Sequence, residues 1–492
     1  MRFRDCHRIL GLWALGLLAS AASGQCPITF APAVSATAGQ NAAGLAVADF
    51  NNDGIPDLAV ANSGAANVSV LLGSGDGGFG AAMHFAAFSG PLSIAAADLN
   101  GDGAVDIVTA NLNDNSIATL RGNGDGTFLP PVRIAVGATP VSVAAGDLNG
   151  DTLPDIVALH QDSGEVWTLL NQGGGVFGAT PLVFKVNVGG LLMITLGDMT
   201  GDGAIDAVAV SPSEALAAIL FGDGAGSFDG QMTYAAGNGA LSVAVGDVSG
   251  DGSADIVVSN QGSAGASVLL GVGDGTFLPR VQYPGGGSSR RSVALADFNG
   301  DGKPDIGLAG GNGFATLRGN GDGTFQSPVS GFAGTNLGFA VAADFDGDGR
   351  PDWATSNHNT TSLFIMRNTG VSVAITEQPT GQTVAPGAAA EFGVTASGAV
   401  SYRWRRNGVP ILDSRAIEGA STPNLSIAGV SAADQGVYDV QIGAACGGGV
   451  TSRPVLLIVA SGSTCPGDTN GDNSVNFLDL NTVISAFNTI CR

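Results

Sequence analysis

The run Asp344-Phe345-Asp346-Gly347-Asp348-Gly349-Arg350-Pro351-Asp352 carries side-chain oxygens at its first, third, fifth and ninth positions. Position six is Gly349, which can take the positive φ that a sharp bend demands. Alternate oxygens on a tight loop suit a hard cation. Calcium takes about 6–8 oxygens at about 2.3–2.6 Å from carboxylates, carbonyls and water. Three carboxylates, the third-position oxygen and the backbone carbonyl of residue seven would supply most of that shell.

The phrase occurs seven times, its starts 47 to 51 residues apart. The ligand sets are Asp49, Asn51, Asp53 and Asp57; Asp98, Asn100, Asp102 and Asp106; and Asp147, Asn149, Asp151 and Asp155. Then come Asp198, Thr200, Asp202 and Asp206; Asp247, Ser249, Asp251 and Asp255; Asp297, Asn299, Asp301 and Asp305; and Asp344, Asp346, Asp348 and Asp352. Thr200 and Ser249 offer only a neutral hydroxyl, so those two sites should bind more weakly. Thr152 stands where the others have glycine. A threonine with positive φ is strained by about 1–3 kcal/mol, so either the third loop bends differently or its site is the weakest. One such loop alone could be an Asx-rich turn without metal. Seven in register argue for metal, and for structural ions: nothing in the loops offers a general base or an open coordination position.

The elements that must hold these loops repeat with them. An apolar run precedes each phrase (Leu241-Ser242-Val243-Ala244-Val245), a second follows it (Ile256-Val257-Val258), then a third (Ser267-Val268-Leu269-Leu270) and a glycine-rich turn, Gly271–Phe277. No helical period lies between them, so each unit reads as four short strands. A period of this length marks a propeller or solenoid. Four strands in each of seven units predict an all-β fold with a seven-bladed β-propeller over residues 25–370. The repeats resemble FG-GAP/VCBS repeats, the calcium-loop blades of integrin alpha chains, over roughly residues 27–370. That resemblance implies one Ca2+ per blade, in a loop joining the innermost strand to the next. The segment Thr29–Val34 is similar to Thr127–Val132, the outer strand of an internal unit, and the seventh unit lacks one of its own. The N-terminal strand is therefore expected to complete the last blade and close the ring. The turns Gly122–Gly126 and Gly319–Gly323 precede strands and lack the lysine of a phosphate loop, so they read as hairpin turns. The phenylalanines after the turns (Phe79, Phe128, Phe177, Phe228, Phe277 and Phe325) are expected to pack between blades.

The chain has 492 residues, a net charge of −23 and 12% charged residues, which implies several domains. Loop aspartates account for about half of the 42 acidic residues, so without cations their mutual repulsion should loosen the fold. The negative field and 19 scattered basic residues argue against a nucleic-acid partner. Arg2, Arg4 and Arg8, then the apolar run Ile9–Ala19 and small residues up to Gly24, read as a signal peptide over 1–24. No later segment is apolar enough to span a membrane, so a secreted, extracellular or cell-surface location is expected. Once Cys6 has left with the signal, Cys26, Cys446, Cys465 and Cys491 allow three pairings. Cys465 with Cys491 is favoured because the two bracket one small unit. His84, His160 and His358 occupy unrelated places in the repeat and read as surface or blade-edge residues. Trp167, Trp353 and Trp404 form no sequence cluster that would mark a carbohydrate platform.

Residues 372–460 change character to short strands with turn residues at about 8–12-residue spacing, as in a β-sandwich. Tyr402-Arg403-Trp404-Arg405-Arg406 alternates aromatic and basic residues, and Asp434-Gln435-Gly436-Val437-Tyr438 resembles the tyrosine corner of immunoglobulin-like domains. That resemblance makes Trp404 the core tryptophan, with Val394 and Val440 about where the family's cysteines lie. The arginines read as a solvated strand face or as a reader of an acidic partner. Over 465–492, Asp468, Asn470, Asp472, Ser474, Asn476 and Asp479 fall at positions one, three, five, seven, nine and twelve of a calcium loop. Phe477, Leu480, Val483, Ile484 and Phe487 follow at helical spacing. The unit resembles half of a dockerin, which implies a cohesin-like or surface anchor.

Together these features point to a non-enzymatic, calcium-binding surface or matrix protein, an adhesion scaffold for an extracellular protein or glycan ligand. The alternative is an extracellular polysaccharide-associated protein, binding or degrading carbohydrate, tethered through the dockerin-like unit.

Overall fold

The first five repeats each fold into a four-stranded antiparallel sheet in a computed structural model that describes residues 28–460, apart from 264, 288, 371–372 and 445–448. The signal segment, all the cysteines and the loop Asp468–Asp479 lie outside the described residues. In the first sheet Ala42–Ala48 pairs with Asp57–Asn62, which pairs with Asn67–Leu71, which pairs with Met83–Ala86. The next four run in the same order from Pro91–Ala97, Pro140–Gly146, Met193–Gly197 and Ala240–Gly246 as first strands. The second strand of each is buried along its whole length, Asp57–Asn62 and Asp255–Asn260 among them. Each Val, Leu or Ile so placed contributes about 1.5–3 kcal/mol.

The sixth and seventh repeats share one six-stranded sheet, where two separate sheets are expected from the sequence period. Asp305–Leu317 runs through the place of a hairpin turn, and Val329–Ala343 serves as outer strand of one repeat and inner strand of the next. The cause is local: Gly310-Gly311-Asn312-Gly313 lets the strand bend and continue, with register shifts at Gly311/Gly313 and Leu337/Ala340. The edge of this sheet is Val34–Thr37, paired antiparallel with Ser362–Met366, and Phe30 bridges Asn368. The N-terminal strand thus completes the last repeat, as the likeness of its sequence to an outer strand predicts.

The inner strands make a closed circuit. Ala42–Ala48 lies against Pro91–Ala97, and so on through Arg290–Ala296 to Val329–Ala343, which lies back against Ala42–Ala48. This is a β-propeller-like fold. Aromatic pairs join successive repeats: Phe128 meets Phe50 at 5.7 Å, Phe228 meets Phe184 at 6.1 Å, Phe277 meets Tyr234 at 5.5 Å, Phe325 meets Tyr283 at 5.3 Å and Phe79 meets Phe345 at 5.2 Å.

Residues 374–459 form two larger sheets, one of Gln382–Val384, Val455–Val459, Gly436–Ala444, Ala399–Arg406 and Val409–Pro410, with Gly449–Thr451 also paired to Gly436–Ala444, the other of Ala390–Gly393, Asn424–Ile427 and Ile417–Glu418, and a two-stranded sheet of Ala374–Glu377 and Thr395–Ser397. Trp404, Val394 and Val440 share one buried cluster with Tyr438 and Phe392. The Tyr438 hydroxyl donates to the Asp434 carbonyl at 2.7 Å, and the Trp404 indole donates to the Thr422 carbonyl at 2.9 Å. Arg405 pairs with Asp439 and Arg406 with Asp434, so both guanidinium groups are engaged within the chain. No helix among the described residues is long and apolar enough to cross a membrane.

Candidate metal centre

Every aspartate loop leaves the end of an inner strand and is shaped by its own side chains. The first-position carboxylate accepts the backbone N–H of residue six in all seven loops, at 2.7 Å from Gly54 to Asp49 and from Gly349 to Asp344. Residue six has positive φ throughout, +82° at Gly54 and +84° at Gly349. Thr152 takes the same bend, at +73°, and donates to Asp147 at 2.7 Å. The third loop therefore keeps its shape and holds the strain that glycine avoids elsewhere.

Position nine does more than a ligand alone. Asp106 is fully buried, with one oxygen accepting the Leu99 N–H at 3.0 Å and the other the Gly122 N–H at 2.8 Å. The same two bonds recur at every repeat, for example from Val248 and Gly271 to Asp255 and from Phe345 and Asn368 to Asp352. This carboxylate ties the start of the loop to the end of the third strand. An ion there would use only its remaining lone pairs. Burial raises these acids above the ordinary carboxylate range. Asp305 and Asp352 are pushed up to about 7, burial acting first and neighbouring loop carboxylates adding to it.

Position three divides the loops. The Asn51, Asn149 and Asn299 amides donate to the carboxylates of Asp53, Asp151 and Asp301 at 2.8, 2.9 and 3.1 Å. The Thr200 and Ser249 hydroxyls donate to Asp198 and Asp247. In the seventh loop the third residue is Asp346, with no proton to give. Oxygens of Asp344, Asp346 and Asp348 lie within 4.8 Å of one another, and Asp346 Oδ1 is buried without a partner. Among the described residues this is the only group of three or more carboxylate, imidazole or thiol ligands so gathered. Arg350 pairs with Asp348 and donates to the Asn368 carbonyl, offsetting part of the charge. Burial, with the charges of Asp346 and Asp344, raises Asp348 despite that guanidinium. A buried carboxylate oxygen facing two more carboxylates is the donor set a hard dication satisfies, so the residues fit calcium.

Position two joins neighbouring repeats. Its carbonyl accepts from the following repeat: Phe50 from Gly126 N–H at 2.9 Å, Met199 from Gly275, Val248 from Gly323, and Phe345 from Gly77 at 3.1 Å. At Leu99 and Phe298 the donor is an asparagine side chain, Asn171 or Asn368.

The histidines and tryptophans fall elsewhere. His160 is fully buried, not on a surface or edge: it ends a second strand and packs against Trp167 with the rings tilted at 47° and 4.9 Å apart, both ring nitrogens unpartnered. Asn62, Asn111, Asn260 and Asn357 hold the same place in other repeats, and that alignment was the available signal. Trp353 and Trp404 are both fully buried, in different hydrophobic clusters, so they present no platform.

A family model described as FG-GAP-like repeat matches residues 49–109, 98–158, 198–258, 250–308 and 297–355, more than half of the chain. No curated protein matches. Among solved structures, the chain is similar to BBS1N in the crystal structure of its complex with ARL6DN, at 10% identity and a TM-score of 0.50, covering 69% of this chain and 97% of that one. The Vibrio cholerae biofilm matrix protein Bap1 matches at 13% identity and a TM-score of 0.39, over 70% of this chain and 91% of that one. Titin domain M4 matches 18% of this chain and 94% of its own, at 23% identity and a TM-score of 0.17.

Proposed function

We propose, because this chain belongs to the FG-GAP-like repeat family, that it is a secreted, calcium-stabilised adhesion or matrix scaffold. The shared sheet of repeats six and seven is read as two blades fused through Gly310–Gly313, giving a seven-bladed propeller over residues 25–370. Residues 372–460 are read as an immunoglobulin-like spacer, in keeping with the Trp404 core and the Tyr438–Asp434 hydrogen bond. The observation that carries the calcium reading is Asp346 Oδ1, buried and unpartnered between two further carboxylates. Each repeat is assigned one structural Ca2+, held by the residues at positions one, three, five and nine, and a further ion is assigned to Asp468–Asp479. The ion would screen the loop carboxylates and fix residues one to nine as one turn. No catalytic role is assigned: the loop carboxylates are engaged in the turn, and the scaffold would act by presenting its faces to an extracellular protein or glycan.

The second reading, a polysaccharide-associated protein tethered through residues 465–492, is favoured by the twelve-residue loop there. Melting the mature protein in calcium and in EDTA tests the scaffold. An ion at ten times its Kd stabilises by about 1.4 kcal/mol per site, so an unchanged curve would defeat the calcium reading. Screening the same protein against matrix proteins and glycans separates the two functions.

A further inference from the structure

The strand Val455–Val459 is apolar at all five positions, Val-Leu-Leu-Ile-Val. A strand with one face in water alternates apolar and polar residues, whereas an unbroken apolar run is the pattern of a strand covered on both faces. One face is accounted for: Leu457 and Val459 enter the Trp404 cluster with Val440 and Tyr438. The other face is open, with Leu456 55% exposed and Ile458 46%. Val437, 38% exposed, stands directly opposite Leu456 on the neighbouring strand, and Thr383 stands beside Ile458 on the other side. The patch therefore crosses three strands, about 10 Å at their usual spacing. Farther along the same sheet Arg405 pairs with Asp439, and Arg403 stands opposite Gln441. Arg403 is exposed, with no hydrogen bond or ion pair among the described residues.

We propose that residues 477–487 of this same chain cover the patch, as an amphipathic helix laid across Val437, Leu456 and Ile458. Residues 461–492 lie outside the described residues, and their sequence supplies what the patch lacks. Phe477, Leu480, Ile484 and Phe487 recur at three- and four-residue steps, which predicts one apolar helix face. A helix is about 10 Å wide, the width of the patch, and eleven residues of it rise about 16 Å. The unit 465–492 is too short to build a core of its own, so its stripe needs cover from outside. The route is open: the Ala460 N–H donates to the Val384 carbonyl at 2.8 Å, so the chain is held to this sheet as far as residue 460. Residues 461–476 then let it turn back, at an effective concentration of about millimolar that another molecule must exceed. Charge agrees, because the unit carries Asp468, Asp472 and Asp479 against Arg492 alone, and the sheet offers Arg403. The inference goes beyond the scaffold reading and does not rest on it. It engages the apolar stripe within the chain, where a tether would present that stripe to a partner.

The test places p-benzoylphenylalanine at Phe487 in the full chain, in calcium. Irradiation and peptide mapping are expected to join residue 487 to residues 437–458 of the same chain. The product should have monomer mass, with a yield unchanged on about tenfold dilution. L456E/I458E sets two carboxylates beneath the helix and should cut that yield at least about fivefold. Cross-links to a second chain overturn the proposal in favour of self-association. Cross-links to the groove beside Val409 and Leu412, to the aspartate-loop repeats, or to nothing overturn it outright, as does an undiminished yield in L456E/I458E. The map of the chain without these two substitutions decides even where they disturb folding. None of these outcomes bears on the calcium and adhesion reading, which the melt in EDTA and the ligand screen decide separately.

Discussion

Replacing Asp346 by asparagine should move stability in opposite directions with and without calcium. Its carboxylate lies within 4.8 Å of oxygens on Asp344 and Asp348. At an effective dielectric of about 20, each such pair repels by about 3 kcal/mol. All three side chains are partly exposed, which screens that to about 1 kcal/mol per pair. D346N should therefore relieve about 2 kcal/mol in EDTA, and its amide could donate to Asp348 as Asn51 does to Asp53. For a unit of about 340 residues, with an unfolding entropy of about 2.1 cal/mol/K per residue, the melting temperature should rise by about 3 °C. In calcium the same change removes a charged ligand, and a tenfold loss of affinity at that site costs about 1.4 kcal/mol. Scanning calorimetry of wild type and D346N, each in EDTA and in millimolar calcium, gives all four values. A variant that melts lower in EDTA, or that gains as much from calcium as wild type does, refutes the reasoning.

Asp106→Ala strips two buried N–H groups, those of Leu99 and Gly122, of their acceptor. It should cost about 2–5 kcal/mol in urea unfolding, in EDTA as well as in calcium. Thr152→Gly frees the strain of a +73° φ against the larger unfolded-state freedom of glycine, for a net gain of about 1 kcal/mol in the same assay. His160 has its pKa lowered by burial, so the unfolded chain takes up the proton first. Stability from this site is full above pH 6.5, falls as pH drops from there toward the lowered folded value, and is flat below it. H160N, which restores the asparagine of four other repeats, should flatten that part of a stability-against-pH curve.

The repeat and its loops were legible because their letters are tied to backbone geometry. Glycine at position six and oxygens at one, three and five fix one bend, and all seven loops make it. The outer strand near Val34 was legible for the same reason, as a copy of a pattern seen in internal repeats. The shared sheet was not, since a glycine run such as Gly310–Gly313 is compatible with either a turn or a bent strand, and only pairing decides. The double bond of position nine to backbone N–H groups was hidden too, because its second donor lies 16 residues away in most repeats.

The loops matter to the ring because residue two of each is a junction. Its N–H is held by the position-nine carboxylate of its own repeat, and in six of seven repeats its carbonyl accepts a bond from the next. Displacing residue two would loosen both bonds at once. Where the glycine turn is altered, as at Asn171 and Asn368, a side-chain amide supplies the missing donor, so the junction is kept although the turn is not. The last such bond, Gly77 to Phe345, joins the first repeat to the seventh beside the three carboxylates of the seventh loop. The loop with the most carboxylates therefore sits at the joint that closes the circuit. An ion there would act on closure of the whole ring, where an ion in an internal loop acts on one contact between two sheets that the chain already connects.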